Sequence, residues 1–295
     1  MKKRIFTLDV DGQYNEEIKA LCIPYQALLA EKIGASYTIL TRREFSNPSD
    51  PSKPAISDKF RLYKLAQEED TWTWFLDIDA MVHPDAIDFT SLISPDSVFM
   101  YGRDCSIQRF RNNVYFQRDQ RWHGACTWNV ICSHITADLW TPPLDPAWCA
   151  SQIRPTVFES HVKTPPSLLD DYSLSLNIAR FGLRYSSAAD IEPLLKIPVQ
   201  FQQYHHQYTE PPDDPKDADG LPLTRNMNGQ QGVVFGKING IKTYMRRNDL
   251  KPIKYDWSVH LEKPAPVISP ETIKIDTSVF RAKPCATSLS DSRAE

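Results

Sequence analysis

No stretch of the 295 residues reaches the roughly 18 consecutive apolar positions that a membrane-spanning helix needs. No membrane span is expected. The N-terminus, MKKRIFTLDVDG, has no signal-peptide pattern either: basic residues lead straight into a short strand, with an aspartate where such a peptide would still be apolar. This reads as an intracellular, cytoplasmic protein. Net charge is small, -3 with a pI of about 6.2, so no global basic field draws the chain onto nucleic acid or anionic lipid. Any such binding needs a local patch. The six cysteines (Cys22, Cys105, Cys126, Cys132, Cys149 and Cys285) contain no C-x-x-C pair and no compact framework. Free thiols are expected, and a zinc site has no support. No internal repeat is present.

What is there is ordinary globular material, 41% hydrophobic and 24% charged, enough for one large α/β domain or two small ones. RIFTLDV reads as a strand, YNEEIKALCIPYQALLAEKIG as a helix interrupted by Pro24, and SYTILTRR as a second strand. A Pro/Ser-rich loop leads to SDKFRLYKLAQEED, a helix with Ser57 or Asp58 as candidate cap, and then to the apolar WTWFLDID. This β, α, β, α, β order predicts a sheet with mainly parallel strands. SVFMYGRD and CTWNVICS read as further strands, and LLDDYSLSLNIARFG as a helix with acids at its start, stopping at Gly182. IPVQFQQYHHQY reads as a strand, and VVFGKINGIKTY as a hairpin turning at Asn239-Gly240. Residues 1–260 form the expected single domain, with 261–295 an irregular, extended or partly disordered tail.

The segment WTWFLDIDAMVHP ends an apolar strand in two carboxylates. Burying either one unpaired costs several kcal/mol or more, so Asp77 and Asp79 reach solvent or hold a cation. Strand alternation points both the same way, with Ile78 into the core and Trp72 and Trp74 together on one face. Two carboxylates are hard oxygen ligands suited to magnesium or manganese, with positions left for phosphate oxygens. That is chemistry for a diphosphate leaving group.

With Lys59 and Arg61 on the preceding helix and WFLDIDAMV following, the sequence resembles the GT-A glycosyltransferases, especially the glycogenin-like and galactosyl/mannosyltransferase groups. The resemblance covers about residues 4 to 208 and implies an α/β, Rossmann-like open mixed sheet flanked by helices. It also implies a nucleotide-sugar donor, UDP-sugar favoured, with Mn2+ or Mg2+ on Asp77 and Asp79. Thr7, Asp9 and Asp11 would then face the nucleotide's base and ribose, and Lys59 and Arg61 the donor's phosphates or sugar. Asn129, in TWNVICS, stands where the family's sugar-contacting strand lies, though that strand's glycines are missing. In LLDDYSLSLN either Asp170 or Asp171 would face the donor sugar, and the family's glutamine is absent. A third metal ligand would be His205 or His206, only one of which can face the ion from a strand. The family's closing motif is not intact, although LKPIKYDW stands as a displaced counterpart. Retention of the sugar's configuration is the expectation from the glycogenin-like group.

Two other readings compete. IFTLDVDGQ resembles the first motif of haloacid-dehalogenase-type phosphatases, with Asp9 as nucleophile and Asp11 as general acid, but Gln13 replaces the expected Thr or Ser. A nucleic-acid-binding module is suggested by residues 101–123, which interleave five arginines with aromatics including Trp122. That segment could equally serve a transferase by binding its acceptor, either a glycan or a nucleic-acid base as in phage-type DNA modification.

Overall fold

Strand β1 (Lys2–Leu8) alternates as a doubly covered strand must, with Ile5 in one buried cluster and Phe6 in the other. The computed structural model describes residues 1–12, 14–82, 86–100, 127–153, 168–187, 235–237 and 272–276. After β1 comes helix α1 (Glu16–Ile33), capped by the Asn15 side chain accepting from the Ile18 N–H and ended by Gly34 at φ 67°. The expected interruption at Pro24 does not occur: the helix runs through it. Both ends are capped and one face is buried through Cys22, Tyr25, Ala27, Leu29 and Ala30, which offsets the hydrogen bond that Pro24 cannot donate.

Next come β2 (Ser36–Leu40), a 3-10 helix (Ala55–Arg61) running into α2 (Leu62–Ala66), and β3 (Thr71–Leu76). Both β2 and β3 lie parallel to β1, one on each side. Short β4 (Ala80–Val82) follows, then β5 (Ser97–Met100), β6 (Asn129–Ser133) and a 3-10 helix (His134–Trp140). Helices α3 (Pro146–Gln152) and α4 (Leu169–Arg180) precede β7 (Arg184–Ser187), and β8 (Phe235–Lys237) and β9 (Ile273–Asp276) complete the described elements. Seven strands form one open sheet in the order β7-β5-β6-β3-β1-β2-β9, with β6 antiparallel to both β3 and β5. The sheet is mixed, as expected. Strand β8 pairs antiparallel with β4, while the turn expected at Asn239-Gly240 lies outside the described residues. Strand β9 falls within the stretch read as a tail, and there it extends the sheet beside β2.

Each sheet face has its own core. Ile5, Tyr37, Trp72, Trp74, Leu76 and Ile131 pack with α1, and Trp74 stacks on Phe89 at 5.9 Å. Phe6, Phe75, Val98, Met100 and Val130 pack with Phe60, Leu62, Trp140 and Leu174 on the other face. Cys22, Cys132 and Cys149 are buried free thiols, and burial pushes the Cys132 thiol up to about 12. No helix among the described residues is long and apolar enough to cross a membrane.

Neither Ser57 nor Asp58 caps a helix: Pro54 occupies the N-cap position of the 3-10 helix, without a side-chain bond. The Asp58 carboxylate, fully buried, instead accepts from the backbone N–H groups of Glu44 (2.6 Å), Phe45 (2.8 Å) and Ser46 (3.3 Å), and from the Ser46 hydroxyl. A loop with three amide donors to satisfy outcompetes the local cap. Asp58→Ala strands those donors and should lower stability by about 3 kcal/mol, measured by urea denaturation.

Candidate active site

The chain leaves β1 through α1 on one face of the sheet, then returns from β2 to β3 through the short helices on the other. Strand order therefore reverses at β1. In open α/β sheets the carboxyl ends of the strands at such a reversal form a crevice suited to ligands. A cleft of about 330 Å³ lies there, lined by Leu8, Asp9, Val10, Tyr14, Arg43, Ala55, Ile56, Lys59, Asp77, Ile78 and Asp79.

Asp77 and Asp79 reach this cleft by a different route from the one alternation predicts. Strand β3 stops at Leu76, and residues 77 to 80 form a turn closed by the Ala80 N–H donating to the Asp77 carbonyl at 2.9 Å. Asp77 is anchored at its own N–H, which donates to the Trp128 carbonyl at 2.8 Å, and Ile78 is buried as expected. The turn, rather than strand pleating, puts both acids on one cavity.

Behind Asp77 lies a buried charge cluster. The Lys59 ammonium sits 2.8 Å from Asp77 Oδ1 and 2.6 Å from Asp170 Oδ2, and donates to Thr127 Oγ1 at 3.3 Å. Burial pulls this ammonium's pKa down, but the charges of Asp170 and Asp77, with their hydrogen bonds, outweigh it and hold it above the ordinary 10.5. Thr127 Oγ1 also lies 2.7 Å from Asp170 Oδ2 and 2.8 Å from Asp171 Oδ1, and its backbone N–H donates to Asp171 at 3.0 Å. One hydroxyl carries one proton, so it donates to one of these acids at a time. Thr127 is a site residue that sequence reading missed; nothing in CTWNVICS marks it apart from its neighbour Asn129.

At the β1 end, Asp9 accepts from the Tyr14 N–H and from Lys19 Nζ, each at 3.0 Å. Asp11, in the left-handed region at φ 57°, turns its carboxylate to Arg43 Nε at 2.5 Å. Asp9 lines the cleft with both oxygens already engaged, an unfavourable starting state for the nucleophile of the phosphatase reading. Six of the expected site residues do not line the cleft: Asp11 and Asp170 touch it only through Arg43 and Lys59, Asp171 through Thr127, and Thr7, Arg61 and Asn129 are turned away. Thr7 is fully buried within β1; Arg61 donates to the Arg42 carbonyl and faces Glu44; Asn129 accepts from the Trp74 indole N–H at 2.8 Å inside the core. Arg61 and Asn129 are thus engaged elsewhere, and the Thr7 hydroxyl is buried without a hydrogen-bond partner. His205, His206 and the segment 101–123 lie outside the described residues.

Asp77 and Asp79 both line one cavity and carry the hard oxygen donors that a divalent ion prefers, with Asp77 Oδ1 also paired to Lys59. Among the described residues no group of three or more His, Cys, Asp or Glu side chains forms a fuller metal site.

No family model matches the sequence, and no curated protein matches it. Among solved structures, the chain is similar to the galactosyltransferase LgtC in complex with donor and acceptor sugar analogues, with 10% identity and a TM-score of 0.41, over 87% of this chain and 99% of that one. It is also similar to mouse xyloside xylosyltransferase 1, apo form (8%, TM-score 0.35, 63% of this chain and 84% of that one). A third is a glycosyltransferase involved in glycosylation of the major capsid of PBCV-1 (14%, TM-score 0.31, 63% and 82%).

Proposed function

We propose that this chain is a metal-dependent GT-A glycosyltransferase that moves a sugar from a nucleotide-diphosphate sugar, UDP-sugar favoured, to an acceptor hydroxyl. The observation that carries this reading is the convergence of Asp77 and Asp79 on the cleft at the strand-order reversal, backed by the buried Lys59 cluster. Asp77 and Asp79 would hold Mn2+ or Mg2+, with His205 or His206 as a third ligand. That ion, when bound, neutralises charge developing on the departing diphosphate.

The chain's own residues do the rest. Asp9, Asp11 and Arg43 border the β1 end, where carboxylates accept from ribose hydroxyls and Arg43 offers a countercharge to phosphate. Lys59 supplies a fixed positive charge beside Asp77 and keeps Asp170 in register with it. Asp170 is buried against Lys59, so Asp171, half-buried and sharing Thr127 with it, is the one of the two acids that orients the sugar. The acceptor, a glycan or a nucleic-acid base already modified to bear a hydroxyl group, contributes the attacking hydroxyl, with retention of configuration expected.

The test is a panel of UDP-, GDP- and other nucleotide sugars, screened for manganese-dependent hydrolysis and for thermal stabilisation. One donor class should be hydrolysed only with metal and should stabilise the fold by about 2.7 kcal/mol at a hundred times its Kd. If none is bound or turned over with metal present, the transferase reading fails.

A further inference from the structure

We propose that Gln26 is a positioning residue that fixes the turn carrying Asp77 and Asp79; its bearing on catalysis rests on the transferase reading, whereas its bearing on the turn does not. Gln26 lies on α1, fully buried, and its amide makes three hydrogen bonds. Nε2 donates to the Asp77 carbonyl at 2.9 Å and to the Ala80 carbonyl at 2.8 Å, the two ends of the turn. Oε1 accepts from the hydroxyl of Tyr37, fully buried on β2, at 2.9 Å.

Chemistry fixes which way this amide faces. Carbonyls only accept, so a flipped amide would set its oxygen against two others, while the Tyr37 hydroxyl supplies the proton that the present orientation needs. The Asp77 carbonyl also accepts from the Ala80 N–H at 2.9 Å, which engages both its lone pairs. One side chain thus staples both ends of a four-residue turn that no strand pairing holds at Asp79. The same helix carries Lys19, two helical turns earlier, which holds Asp9 at the β1 end of the cleft. Through α1, the spacing of the cleft's two acidic ends is set by a single rigid element.

Gln26→Met keeps the volume and removes all three bonds. In amide hydrogen exchange on the full chain, the Ala80 N–H should exchange at least about tenfold faster relative to the β1 and β2 amides, since its acceptor is no longer held. Manganese titrated alone should bind about 10- to 100-fold more weakly, the usual loss when a group supporting a ligand is removed. In donor hydrolysis the half-saturating Mn2+ concentration should rise in step, with kcat at saturating metal nearly kept. Tyr37→Phe, which frees the amide to turn, should give the same pattern at smaller size, and it decides the matter if Gln26→Met does not fold. Exchange that rises equally throughout the core, or an unchanged manganese midpoint, overturns the proposal. If the wild-type chain hydrolyses no nucleotide sugar, the transferase reading falls, and the exchange data alone decide the role of Gln26.

Discussion

Replacing Lys59 with methionine is expected to lower folding stability by about 3–5 kcal/mol, because it leaves Asp170 and Asp77 side by side without their shared cation. Asp170 is almost completely buried and cannot turn to water, so the loss should exceed that of any surface ion pair in the chain. Urea denaturation at neutral pH measures it directly. The pH dependence follows from the lysine. A lysine held above 10.5 in the folded state keeps its full stabilising effect below that pH and loses it only as pH climbs through the raised value. Asp170→Asn, which keeps the shape and gives Lys59 a neutral acceptor, should cost less than Lys59→Met.

Asp77→Asn should leave the fold nearly intact and remove manganese-dependent turnover by about 100- to 1,000-fold, the scale of losing one preorganised electrostatic contact. The fold survives because the asparagine carbonyl still accepts from Lys59, and Asp170 still balances that charge. Activity does not, because a neutral amide is a poor ligand for a hard divalent ion. Asp9→Asn is the informative partner. Its side chain should still accept from the Tyr14 N–H, so nucleotide affinity weakens modestly while chemistry persists. An enzyme using Asp9 as nucleophile would show the reverse: death with Asp9→Asn and survival of Asp77→Asn. Initial rates for both variants across a manganese series separate the two cases.

Strands and core were plain in the sequence because β-branched and aromatic alternation is a local signal. Trp72 and Trp74 share one face and pack there, as their spacing dictates. The D-x-D segment was legible as a pair of acids but not as a turn, since period-two reasoning continues a strand wherever apolar residues do, while Ile78 is buried from within a turn. Asp58 looked like a cap because capping is a neighbour effect, and the loop that claims it comes from 12 to 14 residues earlier. The bond from Lys59 to Asp170 spans 111 residues, and no pattern in a single sequence announces such a pairing. Thr127 and Gln26 were invisible for a related reason: an isolated polar residue in an apolar segment reads as surface until its partners are known.

The place of β9 bears on how the chain comes to be folded. Strand β2 acquires its outer neighbour only from residues 273–276, and Thr272 reaches Glu31 of α1 at the same corner. During synthesis, the sheet that positions Asp9 and Asp77 can form from the first half of the chain while β2 still presents an unpaired edge. The interval between those two events is when the nascent protein is most open to pairing with another chain. Formation of that part of the sheet and protection of its edge are thus separated in time by nearly half of the sequence.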